Sequence, residues 1–448
     1  MSLLNAAIAE LDDRICHDPR VDPALFLRLT ATERELGILH GDRPICPFLR
    51  PHFFSRTQYE RVASAAEILA RAFEKVSDAA FENSDILNVL ALTEAEERLA
   101  RLEPRYPRLC VSSRLDSFLD GDDFKFLEYN AETPAGIGDQ MQLDKVLDSI
   151  PPVREFLDTH RHWRPQPEIH LLEALIAAYK SAGGTKRAPN IAIVDWKGVD
   201  TSPEFTILKD YFESQGFASK IADPEELEYD GTHLRAGDFV IDIFYKRVII
   251  HEFLERYDDS HPLVRAYADG NVVMANSFRV KAVHKKASFA IASDERYEHI
   301  FSAAELETIR RHIPWTRRVA DVKTTYRGHD VELLEFVRHE REGFLLKPND
   351  DYGGHGIKFG WESTETEWEE ALDAALRAPF IVQERAPVGK VSFPTFTDRI
   401  DINSLNIDFD PFLFNGKVHG GLVRLSSQSL VNITAGGGET SLVVLEDF

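Results

Sequence analysis

Residues 110–136, CVSSRLDSFLDGDDFKFLEYNAETPAG, restrict the possible folds of this chain more than any other stretch. Two runs of alternating apolar and polar residues flank the turn-forming cluster Asp120-Gly121-Asp122-Asp123, which is the pattern of a β-hairpin. On the two-residue strand period, Arg114 and Asp116 share a face of the first run, and Glu128 and Asn130 share a face of the second. A turn centred near Asp122 sets Asp116 opposite Glu128, since both are equally far from it along the chain. A cation, two carboxylates and a carboxamide then converge on one patch. Hard cations such as Mg²⁺ are held by carboxylate and amide oxygens together with substrate phosphates. A solvated hairpin face carrying a surface ion pair is the alternative. The same period predicts that Glu128 and Asn130 lie on the face of Phe124 and Phe126, where an uncompensated charge is costly.

A chain of 448 residues is long enough for two or three packed domains. Its 75 acidic against 52 basic residues give a net charge of −23, which disfavours nucleic acid and anionic membranes as partners. A nucleotide remains compatible, because a locally basic pocket and metal ions can hold one. Cys16, Cys46 and Cys110 are widely spaced, so neither a disulfide framework nor a Cys-x-x-Cys knuckle is expected. No signal peptide is predicted at the start, and no apolar run reaches the roughly 18 residues of a membrane span. The expectation is a soluble, cytoplasmic protein with no nucleic-acid or membrane partner. Oligomeric state is left open.

Along the chain the pattern is that of an α/β (α+β) protein in four parts. Residues 1–105 read as a helical region, with apolar residues at three- and four-residue spacing over 3–15, 55–73 and 93–102. His40, His52 and His160 have no partner at metal-ligand spacing and are not expected to be ligands. The hairpin segment, 106–164, continues into a helix at 139–150 closed by Pro151-Pro152. Residues 165–275 alternate helix and strand, with a buried strand predicted over 239–244, as in a small parallel α/β domain. No GxGxxG follows its first strand, so a dinucleotide site is not expected there. Tyr245-Lys246-Arg247 fall at a strand's carboxyl end, either a ligand position or a solvated strand end.

Residues 276–448 form the last part. A helix-like stretch over 279–291 carries Lys281, Lys285 and Lys286, either as a helix C-terminal charge preference or as phosphate contacts. A strand ending in Lys347 runs into Gly353-Gly354-His355-Gly356. Glycines let backbone N–H groups approach phosphate oxygens, and the lysine supplies a point charge. A purely structural hairpin is the alternative. Another strand ends in Gln383-Glu384. Beyond residue 406, strands are broken by Asn415-Gly416, Gly420-Gly421 and Gly436-Gly437-Gly438, with Arg424 and Asn432 inside otherwise apolar runs.

Taken together, these motifs resemble the ATP-grasp ligases. The carboxylate hairpin precedes the nucleotide elements, an order similar to the circularly permuted ATP-grasp group that includes the synthetase domain of glutathionylspermidine synthetase. That group's Arg-x-Asp followed by Glu-x-Asn stands here as Arg114-Leu115-Asp116 and Glu128-Tyr129-Asn130. The resemblance implies a small Rossmann-like pre-ATP-grasp domain at 165–275 and a nucleotide-binding domain at 276–448. It implies that Asp116, Glu128 and Asn130 hold Mg²⁺. It assigns Lys286, Lys347, Gly353, Gly354, Gly356, Gln383 and Glu384 to ATP, and Arg114 and Arg424 to the transferring phosphoryl group. The implied activity is an ATP- and Mg²⁺-dependent ligation of a carboxylate to an amine through an acyl phosphate. No GxSxG elbow or Ser/His/Asp set competes with it. Two departures stand out. No amidase half like that of the bifunctional relatives is expected in these 448 residues, and the glycine loop carries Asp350, Asp351 and His355. The N-terminal helices have no counterpart in the group. A non-catalytic nucleotide-binding interaction protein is the main alternative, and a metal-dependent hydrolase or phosphotransferase a third reading.

Overall fold

The computed structural model describes residues 3–396, 399–446 and 448. Its N-terminal part is helical, as the spacing predicts. The helix Pro23–Leu36 starts where Asp22 caps Leu25 N at 2.7 Å and stops at Gly37, whose φ of 74° ends the helix in a left-handed turn. The helix Arg56–Glu82 begins with a reciprocal Ser55/Gln58 capping box and buries Tyr59, Val62, Leu69, Phe73 and Val76 along one stripe.

That stripe packs against the largest sheet. Its strands run in the order Gly438–Thr440, Lys417–Ser426, Ile400–Phe414, Ser112–Asp120 and Asp123–Asn130, and Lys390–Phe396 also pairs with Ile400–Phe414. Every pairing is antiparallel. The early hairpin is therefore welded to strands that lie almost 300 residues later, as in Arg114 opposite Phe412.

A second sheet is parallel, in the order Val273–Ala275, Ile243–Lys246, Ile191–Val194 and Ser219–Ala222. Both faces are covered, so Ile191–Val194 is wholly buried, as continuous apolar strands of parallel sheets require. The predicted single strand over 239–244 is two strands. Phe239–Ile241 belongs to a separate antiparallel meander, and Ile243–Lys246 enters the parallel sheet. The break falls at Asp242, whose carboxylate accepts from Asn190 N and Lys186 Nζ, each at 2.8 Å.

A third sheet, Thr316–Arg318, Phe380–Glu384, Phe344–Pro348 and Lys358–Phe359, has its own core around Trp368, Leu333 and Leu346. The stretch over 279–291 is not one helix. It is a 3₁₀ turn, Phe278–Val280, followed by Lys281–His284 and Ala287–Ala292. Finally, Leu442–Leu445 inserts between His52–Ser55 and His162–Trp163, tying the last strand to the N-terminal part. Among the described residues, no helix is long and apolar enough to cross a membrane.

Candidate active site

The hairpin pairs as its spacing predicts, with Asp116 opposite Glu128 and Arg114 opposite Asn130. Next to this pair the register slips, and Ser117 faces Phe126, which leaves Leu127 as an extra residue. One added residue in a strand reverses every side chain beyond it. Phe124, Phe126 and Tyr129 therefore all enter the core, at 5%, 0% and 3% exposure. Leu127, Glu128 and Asn130 instead line a cavity of about 1040 Å³. The expectation that Glu128 and Asn130 share the face of Phe124 and Phe126 is thus corrected, and the bulge is the reason. It spares the core a buried carboxylate and aims both polar groups into the cavity.

Asp116 sits in a ring of donors. Arg114 grips it through Nε at 2.8 Å and Nη2 at 3.0 Å, Asn130 Nδ2 donates at 2.8 Å, and Arg424 Nη2 donates at 3.0 Å. Burial raises the Asp116 carboxyl, but Arg114 and Arg424 outweigh it and hold the group well below the ordinary carboxylate range. Arg424 also reaches Asp408 at 2.7 Å and Asp410 at 2.6 Å.

Opposite this ring lie the basic and glycine elements. Lys347 Nζ approaches Leu127 O at 3.3 Å, and burial pushes its ammonium down to about 8 against the opposing pull of Glu128. Lys286 Nζ lies 3.5 Å from Glu128 and donates to Asp351 O at 2.5 Å. Gly353, Gly354 and Gly356 have φ values of 63°, 76° and 69°, the left-handed region where a side chain is strained. Gln383 donates to Thr316 Oγ1 at 3.1 Å, and Glu384 accepts from Tyr326 and Arg327. Of the residues that the resemblance assigns to metal, ATP and phosphoryl group, all but Lys286 and Gly356 line the one cavity. Lys286 stands behind Glu128, and Gly356 packs at the base of the loop, where a Cβ would meet Pro348 Cγ at 2.6 Å.

Two of the lysines, Lys281 and Lys285, lie at the short helix Lys281–His284 outside the cavity lining and are held by carboxylates. Lys281 bonds Glu132 and Asp350, both at 2.7 Å, and Lys285 bonds Asp350 at 2.6 Å and Glu96 at 2.9 Å. Tyr245-Lys246-Arg247 is not a solvated strand end either. Lys246 is buried 3.6 Å from Glu132, and Arg247 pairs with Glu204 at 3.0 Å. Glu132, His284 and Asp350 present donor atoms within 4.8 Å of one another, yet lysines already neutralise both carboxylates there.

The sequence reading missed a wall of carboxylates on the same cavity: Asp139, Asp195, Glu204, Asp408 and Glu439. Asp408-Phe409-Asp410, alternating acids in an apolar strand, was a visible signal. Asp139 and Glu439 carried none, because a helix and a distant strand bring them to the wall.

As a cation site the hairpin fits. Among the described residues Glu128 accepts no hydrogen bond and has Lys286 as its ionic neighbour, so its oxygens are available. Asp116 would exchange one arginine contact for the metal.

No family model matches the chain. A glutathione synthetase-like effector from Globodera pallida superposes with a TM-score of 0.64, over 96% of this chain and 99% of its own, at 15% identity. The fold is glutathione synthetase-like. In sequence, an uncharacterised protein of Mycobacterium tuberculosis is 24% identical over 350 residues, 72% of this chain. This chain spans 58% of that relative's length. One from Mycobacterium leprae is 23% identical over 440 residues, 90% of this chain and 73% of its own length.

Proposed function

We propose that the protein is an ATP- and Mg²⁺-dependent carboxylate–amine ligase that forms an amide bond through an acyl phosphate. The observation that carries this reading is the convergence, in one cavity, of Asp116, Glu128 and Asn130 with Lys347, the glycine loop and two arginines. Phosphoryl transfer is mostly positioning and charge stabilisation, which needs groups of this kind and no protein nucleophile. Asp116, Glu128 and Asn130 would hold Mg²⁺, which supplies neutralisation of phosphate charge when bound. Lys347, Lys286 and the N–H groups around Gly353 and Gly354 bind the phosphates. Gln383 and Glu384, at the end of their strand, hold the base or ribose. Arg114 and Arg424, already fixed by buried carboxylates, offer positive charge where the phosphoryl passes to the substrate carboxylate. The chain order, hairpin before nucleotide elements, supports a circularly permuted arrangement. A glutathionylspermidine-synthetase-like activity is the nearest analogy within this reading.

Thermal stability with Mg²⁺ and ATP tests it, in the wild type and in Glu128→Ala. A ligand at 100 times its dissociation constant adds about 2.7 kcal/mol to the folded state. Stabilisation of the wild type that requires both Mg²⁺ and ATP, and is lost in the variant, is the expected result. Absence of any response to ATP in the wild type removes the basis of the reading.

A further inference from the structure

The glycine loop is fastened to two different walls of the cavity. Its root is pinned where Asp350 meets Lys281 and Lys285, and Lys286 Nζ donates to Asp351 O at 2.5 Å. Beyond that root, the Tyr352 hydroxyl donates to Glu252 Oε1 at 2.7 Å, and Asn432 Nδ2 donates to Gly353 O at 3.3 Å. Glu252 belongs to the helix Ile250–Arg256, and Asn432 to the stretch between the strands Lys417–Ser426 and Gly438–Thr440. Both anchors line the cavity, as do Tyr352, Gly353 and Gly354. The loop therefore crosses from one wall to another and is held at each side. Tyr352 is 43% exposed, so core packing does not fix its position.

Glu252 has a second donor. Trp196 Nε1 donates to its Oε2 at 2.9 Å, so both carboxylate oxygens are in use. Trp196 follows the buried strand Ile191–Val194, is 8% exposed, and carries the Arg256 guanidinium 4.0 Å from its ring centroid. The backbone around it is fixed as well, since Trp196 N donates to Asp195 Oδ1 at 2.8 Å and Lys197 N to Asp223 Oδ2 at 2.9 Å. Its neighbours Asp195, Gly198, Val199, Asp200 and Thr201 line the cavity. Among the described residues, Glu252 has no cationic side chain within 4 Å, so these two neutral donors meet its charge. Hydrogen bonds to an ionised acceptor are roughly twice as strong as neutral ones. The bond to Glu252 also pushes the Tyr352 phenol up to about 12, so it stays a donor at neutral pH.

We propose that Glu252 is the catch of a closure device: it joins Tyr352 of the glycine loop to Trp196 of the parallel-sheet wall, so that the loop and residues 196–201 open and close together. Glutamate suits this place because it offers two acceptor oxygens, one for each partner, where glutamine offers one. Asp350 and its lysines hold the root whether the catch is made or not, which confines the movement to the residues beyond it. The device rests on the proposed nucleotide site for what closure encloses, but not for whether the catch exists, because both of its bonds join protein groups.

Amide hydrogen exchange on the full chain without nucleotide tests the catch, in the wild type and in Tyr352→Phe, Glu252→Gln and Asn432→Ala. Tyr352→Phe removes only a hydroxyl from a partly exposed ring, so folding is retained. Tyr352→Phe and Glu252→Gln are expected to speed exchange by about fivefold or more in both 351–357 and 196–201. Asn432→Ala, which loosens the other side of the loop, is expected to do so in 351–357 but not in 196–201. Unchanged exchange over 196–201 in Tyr352→Phe, or equal acceleration there in Asn432→Ala, would overturn the proposal. A titration with Mg²⁺-ATP then reads what closure does, and binding about tenfold weaker in Tyr352→Phe, through faster dissociation, is expected. An affinity equal to that of the wild type would overturn the closure role. Failure of the nucleotide reading is seen separately, as a wild type that does not respond to Mg²⁺-ATP while the exchange results stand.

Discussion

Glu33 shows how a single buried acid couples this structure to pH. It is 1% exposed and accepts from Cys46 N at 2.8 Å. Burial, only partly offset by the Cys46 and Ile45 amides, pushes its carboxyl up to about 7. An acid whose folded value is raised stabilises the fold at pH values below its unfolded value, near 4.5. That contribution is lost as pH rises through about 7. Glu33→Gln is therefore expected to stabilise the protein by about 1–3 kcal/mol at pH 8 and to do little at pH 4.5. Urea denaturation midpoints at the two pH values check this, and equal effects at both would contradict it. At the same scale, the pairing of Glu128 with Asp116 was legible because strand period and turn position are local. The ion pairs of Lys281 and Lys285 were not, since their partners Glu96, Glu132 and Asp350 come from three distant segments.

Among the elements, the bulged hairpin and the glycine loop do most to shape the cavity. Two-residue periodicity predicted which hairpin residues face one another, but not the extra residue at Leu127 that turns Glu128 and Asn130 away from the core. A bulge leaves little trace in a sequence of otherwise regular alternation. The glycine loop depends on backbone geometry at Gly356, where φ is 69° and a Cβ would sit 2.6 Å from Pro348 Cγ. Gly356→Ala is expected to cost about 1–3 kcal/mol locally. Because the strain falls on the loop, it should weaken Mg²⁺-ATP binding at least tenfold while leaving far-ultraviolet circular dichroism unchanged. A nucleotide titration followed by tryptophan fluorescence measures this, and an unchanged affinity would separate the loop from the nucleotide.

Across the whole molecule, one buried ionic network joins segments far apart in the chain. Asp350, at the root of the glycine loop, bonds Lys281 and Lys285, and these reach Glu132 beside the hairpin and Glu96 in the N-terminal part. Burial raises the Asp350 carboxyl, but Lys281 and Lys285 overcome this and hold it far below the ordinary range. Asp350→Ala leaves two buried ammonium groups short of a counter-charge and is expected to destabilise the fold by about 3–5 kcal/mol. The measurement is the shift in unfolding midpoint. A change under about 1 kcal/mol would mean that water replaces the carboxylate and the network is not closed.

What the sequence determined by itself was whatever short-range periodicity and turn chemistry encode. That covers the helical N-terminal part, the pairing of Asp116 with Glu128, the strand leading to Lys347, and the α/β alternation after residue 165. What only the tertiary structure decided was which surfaces meet. It put Arg424 beside Asp116, divided the stretch over 239–244 between two sheets, took Lys281 and Lys285 out of the cavity, and brought Asp139 and Glu439 to its wall. The physical reason is range. Period and turn geometry act over a few residues, whereas burial and Coulomb pairing depend on distances in space that no local pattern carries.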